Sequence, residues 1–210
     1  MIEGDKLLDN LVEDGWLKSP NIIDAFHAIH RNDFVPKDAQ KDAFLNTALS
    51  IGWDQTISQP LTVAFMLELL EPKSDQKILE IGYGSGWQTC LLAHIVGKHG
   101  KVFAIEIVPE LCKFGSENIA KYNFIKEGIV ECFCQDATEG LEDQAPFERI
   151  IAAASAFSGI PDTWKDQLGI GGRIVAPVGQ SIFLFIKNPD GSFEEKEFPG
   201  FIFVPLIKGK

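Results

Sequence analysis

Three glycines at alternate positions follow a short, largely apolar run near the middle of the chain. Residues 78–81 predict a strand that is buried on both faces, and Gly82, Gly84 and Gly86 form a G-x-G-x-G pattern directly after it. Glycine allows a sharp backbone turn and a close approach to a ligand. The dinucleotide fingerprint G-x-G-x-x-G would require glycine at position 87, where the chain has Trp87. The loop therefore predicts a ligand site that differs from a dinucleotide site.

Acidic residues lie at or just after the carboxyl ends of three predicted strands. These residues are Glu80, Glu106 and Asp136, and Glu106 follows Gly86 by about 20 positions. Ligands of doubly wound sheets bind at these ends, so we expect Glu80 to face a positive charge, Glu106 the ribose hydroxyls and Asp136 the adenine amino group. Each acid alone could equally be a cap or a solvated loop residue. Together with the glycine loop, the three acids predict S-adenosylmethionine rather than NAD as the cofactor.

Strand and helix patterns alternate around this loop, which predicts a parallel sheet with helices on both faces. The predicted strands are residues 77–81, 101–106, 129–133, 148–154 and 172–177, and the predicted helices are residues 87–97, 109–122 and 161–168. Two more strands, residues 181–187 and 194–204, flank the turn signal at residues 188–191. We therefore expect an α/β fold: a doubly wound, Rossmann-like methyltransferase sheet, mostly parallel, with C-terminal antiparallel strands.

The N-terminal part of the chain predicts helices. Apolar residues recur at helical spacing over residues 7–12, Ser19 and Pro20 open a second helix that runs through His30, and residues 60–70 form a third. Residues 31–54 between them are predicted to be irregular.

Length and charge limit the function classes. With 210 residues, we expect one methyltransferase domain over residues 1–210, with an N-terminal helical, substrate-side segment at 1–72 and a Rossmann-like core at 73–210. The net charge of −11 argues against nucleic acid as a partner. Because the sequence has no long apolar run and no basic, apolar start, we expect no membrane association and a cytoplasmic location, and we expect a monomer.

The cysteines and histidines do not predict a metal site. Cys90, Cys112, Cys132 and Cys134 show no C-x-x-C spacing, so we expect reduced, buried cysteines in a cytosolic protein. His27 and His30 share a helix face but have no further ligands nearby in the sequence.

Motifs along the whole chain resemble those of protein-L-isoaspartate O-methyltransferases. The glycine loop at residues 79–89 is similar to the loop of that family, and residues 55–60, Gln-Thr-Ile-Ser-Gln-Pro, resemble its more discriminating signature Q-T-I-S-x-P. The resemblance runs in order from about residue 6 to residue 208. Other matching elements are Arg31 with Phe34-Val35-Pro36, Pro146-Phe147, Gly171-Gly172, Pro177-Val178-Gly179 and Phe203-Val204-Pro205-Leu206.

The resemblance implies methyl transfer from S-adenosyl-L-methionine to the free carboxylate of L-isoaspartyl residues in damaged proteins or peptides, which leaves S-adenosyl-L-homocysteine and initiates repair without a metal. It implies that Ser58 is the catalytic residue that holds the acceptor carboxylate, and that Gln55, Thr56 and Ile57 bind the substrate with it. From spacing alone, Thr56 and Ser58 could instead cap the helix that opens at Pro60. The implied cofactor-binding residues are Glu80, Gly82, Tyr83, Gly84, Ser85, Gly86, Glu106, Asp136 and Ala137.

The chain departs from the family pattern mainly around the substrate. Asp54 stands where the family often has glycine, and residues 152–159 differ in composition and length. Trp87 replaces the commoner tyrosine, and Trp53 could line the substrate cleft. Two alternatives follow: a carboxyl methyltransferase for a different peptide or small-molecule carboxylate, or a module that binds ligand without turnover.

Overall fold

The computed structural model describes residues 3–209. They form a seven-stranded sheet, a separate two-stranded hairpin and six α-helices within that range. The helices are α1 (Glu3–Glu13), α2 (Pro20–Ala28), α3 (Pro60–Leu70), α4 (Trp87–Val96), α5 (Pro109–Ala120) and α6 (Asp162–Asp166). The strands are β1 (Leu49–Gly52), β2 (Gln55–Ile57), β3 (Lys77–Ile81), β4 (Lys101–Glu106), β5 (Val130–Cys134), β6 (Phe147–Ala152), β7 (Leu168–Val178), β8 (Ser181–Lys187) and β9 (Phe193–Pro199).

The large sheet has the order β5-β4-β3-β6-β7-β8-β9. The five strands β5, β4, β3, β6 and β7 are parallel to one another, whereas β8 and β9 each run antiparallel to the strand before them in the sheet. The chain runs outward from β3 through β4 to β5 and then crosses to β6 on the other side of β3, so the strand order switches at β3. The predicted α/β fold class is confirmed, and the switch point lies where the glycine loop leaves β3.

Both faces of the sheet are covered, as the apolar strands predict. On β3, Ile78 packs into one apolar cluster with helices α3, α4 and α5, whereas Leu79 and Ile81 pack into a second cluster that includes Trp164 of α6. Alternate residues of a strand point to opposite faces, so a strand between two clusters is apolar throughout. Within residues 3–209, no helix combines the length and apolarity needed to cross a membrane.

Residues 49–57 form a hairpin, although the sequence predicts irregular structure up to residue 54 and a loop at 55–58. Strands β1 and β2 pair antiparallel, with Leu49 opposite Ile57 and Gly52 opposite Gln55. Strands of four and three residues are too short to give a clear alternation of polar and apolar side chains, which is why the prediction was wrong. A similar correction applies to β9, which ends at Pro199 rather than at residue 204.

The prediction that all cysteines are reduced is also wrong. Cys112 of α5 and Cys134 at the end of β5 form a disulfide, with Cα atoms 5.7 Å apart, whereas Cys90 and Cys132 are free. The two bonded residues are 22 positions apart and meet because α5 packs against β5. Spacing does not reveal such a tertiary contact. Since disulfides are rare in reducing compartments, the cysteines no longer favour a cytosolic location.

Candidate active site

A cleft lies beyond the carboxyl ends of the central strands. Its floor is the glycine loop together with the ends of β3 and β4, one wall is the β1–β2 hairpin, and the C-terminal segment lies across it. The segments that line it include residues 55–58, 80–85, 105–108, 153–154 and 204–207. The cleft therefore occupies the position at which doubly wound sheets bind ligands.

The glycine loop is fixed by hydrogen bonds to β4 and α5. The N–H of Gly82 donates to the carbonyl of Ile105 at 2.8 Å, and the N–H of Gly84 donates to the Glu106 carboxylate at 3.0 Å. The Tyr83 hydroxyl donates to the carbonyl of Cys112 at 3.0 Å, so the side chain packs behind the loop. These bonds hold the backbone of the loop at the cleft surface before any ligand arrives.

Gly86 begins α4 behind the cleft and does not line it. Its φ is +85°, and a Cβ at this position would lie 2.6 Å from Ile119 and 2.9 Å from the carbonyl of Gly115. The glycine therefore allows α4 to start directly against α5. This is a packing role, distinct from the ligand contact that the sequence predicts for Gly86.

Glu106 lies where β4 ends, with its carboxylate at the cleft wall. One oxygen accepts from the N–H groups of Ile107 and Val108 at 2.8 and 3.0 Å, and the other accepts from Gly84. The side chain is 7% exposed. Three backbone donors hold the carboxylate in one orientation, which suits an acceptor for hydroxyl groups, as predicted from its distance to the glycine loop.

Glu80 provides the observation that best tests the predicted cofactor. Its side chain is fully buried at the cleft wall, and Oε1 accepts from Gln88 at 3.0 Å. Oε2 accepts no well-aligned hydrogen bond from the described residues, but the hydroxyl of Thr89, which is also without a partner, lies close enough to favour the charged form of Glu80. Burial raises the pKa of Glu80 to about 7, since desolvation penalises the charged form. No cationic side chain among the described residues pairs with this buried carboxylate, so it fits a cationic ligand such as S-adenosylmethionine.

Ser58 follows β2 and lines the cleft on the side opposite Glu80's strand. Its hydroxyl makes no hydrogen bond within residues 3–209, and its carbonyl accepts from Arg31 at 3.1 Å. Helix α3 has Gln59 as its N-cap without a side-chain bond, while Asn46 accepts from the N–H of Leu61 at 3.0 Å. The capping role considered for Thr56 and Ser58 is therefore absent from the described structure, and the Ser58 hydroxyl is free to bind a ligand.

Arg31 positions the segment that carries Ser58, a role that the sequence does not reveal. The guanidinium is 3% exposed and donates to the carbonyls of Ala43, Leu45, Thr47 and Ser58 at distances between 2.8 and 3.2 Å. Burial lowers its pKa to about 10. No carboxylate within residues 3–209 pairs with it; backbone carbonyls accept from Nη1 and Nη2, whereas the buried Nε has no partner among the described residues.

Asp136 stands outside the cleft wall, whereas its neighbour Ala137 lines it. The Asp136 carboxylate accepts from the N–H groups of Thr138 and Gly209. Partial burial opposes ionisation, but these hydrogen bonds hold the pKa of Asp136 below its usual value. In this structure Asp136 therefore anchors the C-terminal segment.

The C-terminal segment also lines the cleft, a position that the strand predicted at residues 194–204 does not indicate. Ser155 donates from its N–H to the carbonyl of Val204 and accepts from the N–H of Leu206, both at 2.8 Å. Residues 204–207 thereby lie against the loop after β6 and line the cleft. The Phe-Val-Pro-Leu motif at 203–206 was the available signal. Across residues 3–209, no group of three or more His, Cys, Asp or Glu side chains could hold a metal ion.

A match to a protein-family model shows which family the chain belongs to. The model of the protein-L-isoaspartate(D-aspartate) O-methyltransferase family, PCMT, matches residues 3–210. The chain belongs to this family. Because the match begins in α1 and extends through the C-terminal segment, it includes both walls of the cleft and its glycine loop.

Curated relatives of the family support the assignment. The protein-L-isoaspartate O-methyltransferase of Methanopyrus kandleri is 36% identical over 207 residues, which cover 97% of this chain and 90% of the relative. The enzyme of the same name from Aeropyrum pernix is 37% identical over 206 residues, covering 96% of this chain and 78% of the relative.

Solved structures of the family have the same fold. One protein-L-isoaspartate O-methyltransferase superposes with a TM-score of 0.86 at 25% identity, covering 96% of this chain and 65% of the other. A putative family member from Plasmodium falciparum, whose structure was determined in complex with S-adenosyl-L-homocysteine, superposes with a TM-score of 0.87 at 22% identity. The superposition covers 97% of this chain and 98% of the other. The N-terminal segment and the sheet therefore both follow the family architecture.

Proposed function

We propose that this chain transfers a methyl group from S-adenosyl-L-methionine to the free carboxylate of L-isoaspartyl residues in damaged proteins or peptides. The observation that carries the proposal is the family match over residues 3–210. Methylation converts the carboxylate into an ester with a good leaving group. Attack by the backbone nitrogen then gives a succinimide, and hydrolysis of that ring can return normal aspartate.

The residues on the sheet side of the cleft would hold the cofactor. Glu80 offers a buried carboxylate without a cationic partner among the described residues to a positive charge, Glu106 offers a fixed acceptor for hydroxyl groups, and the backbone at Gly82–Ser85 forms the surface between them. When bound, S-adenosyl-L-methionine supplies an electrophilic methyl group on a sulfonium. A cationic ligand also favours the ionised form of Glu80, which burial otherwise disfavours.

Ser58 would orient the acceptor carboxylate from the other wall. A carboxylate with a pKa near ~4 is already ionised at neutral pH, so the residues of the cleft need to supply no general base. The free Ser58 hydroxyl can donate a hydrogen bond to one carboxylate oxygen and leave the other to attack. Arg31 contributes by fixing the Ser58 backbone, since correct orientation supplies much of the rate in such a step.

The C-terminal segment and the hairpin would keep water away from the reacting groups. Attack of an anion on a cationic centre removes charge in the transition state, so a dry site favours the reaction. Residues 204–207 and Ile57, which is 3% exposed, present apolar surface to the cleft. The chain's contribution is therefore positioning and exclusion of water.

Three further aspects belong to the proposal. We propose that residues 1–210 act as one domain, supported by an apolar cluster that joins residues of α1 and α2 to β3 and β4. We propose a monomer that does not act on nucleic acid, for which light scattering and a binding assay are the tests. We place the protein in the cytoplasm, although the disulfide opposes this location; fractionation of the source cells tests it.

The decisive assay for the reaction compares acceptor carboxylates. Labelled S-adenosyl-L-methionine is offered with one peptide in L-isoaspartyl and L-aspartyl forms, and with small-molecule carboxylates. We expect label to enter the isoaspartyl peptide only. Label in a different carboxylate, with none in the isoaspartyl peptide, would establish the alternative carboxyl methyltransferase instead.

A further inference from the structure

The tip of the β1–β2 hairpin places an aromatic and an anionic side chain at the rim of the cleft. Trp53 and Asp54 form the two-residue turn between Gly52 and Gln55, and both are exposed, Trp53 by 49%. Ile51 and Gln55, which flank this turn, line the cleft. Since consecutive Cα atoms are about 3.8 Å apart, the two side chains start within one or two residues of the cleft wall.

The backbone of this turn does not favour the residues that occupy it. Trp53 and Asp54 have φ values of +52° and +55°, the left-handed region typical of two-residue hairpins, where Asn-Gly is preferred. A bulky residue at positive φ is an outlier. Glycine at position 54 and asparagine at position 53 would fit the turn better. Residues held in unfavourable conformations cluster at functional sites. The positive φ values of Trp53 and Asp54 therefore suggest that their side chains have a role in binding.

The charge of Asp54 is isolated. It is the only charged residue between Asp42 and Glu68 in the sequence, and it forms none of the ion pairs among the residues that the structure describes. The acceptor carboxylate is an anion, so Asp54 would repel it. The charge therefore suits a cationic group that lies beside the acceptor, on the part of the substrate that remains outside the cleft.

The aromatic neighbour fits the same group. The face of a tryptophan ring attracts Lys and Arg side chains, and the apolar stems of those residues can pack along it. Asp54 next to Trp53 thus offers a cation both an opposite charge and an aromatic surface. An isoaspartyl residue with an acidic neighbour would bring a second negative charge to Asp54.

We propose that Trp53 and Asp54 form a subsite for a lysine or arginine that flanks the isoaspartyl residue in the substrate. This inference rests on the proposed function, in which Ser58 on the same hairpin segment holds the acceptor. It makes the enzyme selective for isoaspartyl sites in basic sequence, among the many sites that a damaged protein can present.

The test uses isoaspartyl peptides that differ only in the residue directly after the isoaspartyl position: Lys, Gln or Glu. We expect kcat/KM to fall in the order Lys, Gln, Glu, with about a tenfold difference between Lys and Glu at low salt. The difference in kcat/KM between the Lys and Glu peptides should become smaller as ionic strength rises, since salt screens the interaction between the exposed Asp54 and the charged peptide residue. A second series with the variable residue on the other side shows which neighbour is bound.

Two variants keep the turn and remove one contact each. Asp54→Asn and Trp53→Asn place a residue that tolerates positive φ, and each should reduce the Lys-to-Glu ratio at least threefold. Glu127→Gln is the matched control, because it removes one exposed charge before the amino end of β5, whereas the cleft lies at the carboxyl ends of the parallel strands. The Lys-to-Glu ratio of this variant should equal that of the wild type.

The outcomes separate the two claims. Equal kcat/KM for the Lys, Gln and Glu peptides in the wild-type enzyme, or an unchanged ratio in Asp54→Asn, overturns the subsite while leaving isoaspartyl methylation intact. Methyl transfer to none of the isoaspartyl peptides overturns the proposed function itself, and the subsite with it.

Discussion

Arg31 donates a hydrogen bond from Nη2 to the carbonyl oxygen of Ser58 at 3.1 Å. The same guanidinium binds three other carbonyls in the segment before β1, and its carbon lies 5.5 Å from the ring centre of Trp87. One buried side chain thus connects the serine segment, the preceding loop and the start of α4. The position of Ser58 depends on this contact rather than on the short hairpin alone.

Replacement of Arg31 by lysine should therefore weaken both folding and substrate binding. A single ammonium cannot reach four carbonyls, and unpaired buried groups cost free energy, so we expect a loss of about 2–4 kcal/mol in the free energy of unfolding. Denaturant titration measures it. We also expect a raised KM for isoaspartyl peptide.

Arg173→Lys is the matched control for that change. Arg173 donates to the carbonyl of Leu69 and pairs with Glu71 at 2.9 Å, and neither group lines the cleft. This variant should lose stability without a change in KM. An Arg31→Lys enzyme with the wild-type KM would show that the guanidinium does not position Ser58.

Glu80 should make stability and cofactor affinity depend on pH in opposite ways. Its pKa in the folded, ligand-free protein is raised to about 7 from 4.5. Its contribution to stability is therefore complete below the unfolded pKa and is lost as pH rises through about 7. Glu80→Gln cannot ionise, so its Tm relative to the wild type should rise between pH 5 and pH 8.

Binding of a cationic ligand requires the ionised carboxylate. The affinity of the wild type for S-adenosyl-L-methionine should thus rise with pH through about 7, and calorimetric titration of Glu80→Gln should give a weaker affinity with a flatter profile. A wild-type affinity that falls over this range would contradict the role assigned to Glu80.

Two glycines separate the cost of backbone conformation from the cost of close packing. Gly86 and Gly97 flank α4 and both have positive φ, but a Cβ would collide with Ile119 and Gly115 only at Gly86, whereas nothing lies within 4 Å at Gly97. We expect Gly97→Ala to destabilise by about 1–2 kcal/mol and Gly86→Ala by a further ~1–3 kcal/mol. Equal losses in thermal unfolding would show that α4 and α5 can separate freely.

The disulfide should contribute to stability through the loop that it closes. Because Cys112 and Cys134 are 22 positions apart, chain entropy predicts a contribution of about 3 kcal/mol. Reductant should lower the free energy of unfolding of the wild type by about this amount. It should not change the free energy of unfolding of the Cys112→Ser variant, which cannot form the bond. An intact mass that shows no gain of two hydrogens on reduction would mean that the bond is absent in the protein.

Local patterns were enough to predict the sheet and the glycine loop beside the cleft, but not which side chains line it, since Gly86 and Asp136 lie outside the lining. Strand β3 and the glycine loop have strong signals, because a strand covered on both faces is apolar throughout and its turn needs glycine. Glu106 could be located from its distance to that loop. These features depend on neighbours in sequence, which a single chain displays directly.

The other wall depends on contacts between distant segments. Arg31 meets Ser58 across 27 positions and Ser155 pairs with Val204, and Cys112 reaches Cys134 through the packing of α5 on β5. None of these contacts has a periodic signal. The Q-T-I-S-x-P resemblance predicts that Ser58 holds the substrate, and the structure places Ser58 in the cleft lining. The hairpin that precedes it emerged only from the structure.

The most direct test of the account follows one isoaspartyl peptide with wild-type enzyme and with Ser58→Ala, measuring labelled methyl transfer under saturating S-adenosyl-L-methionine. Ser74→Ala, which removes an exposed hydroxyl outside the cleft lining, is the matched control. We predict transfer to the isoaspartyl peptide and not to its aspartyl twin, with kcat/KM reduced at least tenfold in Ser58→Ala and unchanged in the control. Equal activity of Ser58→Ala and wild type would contradict the claim that this serine holds the acceptor carboxylate.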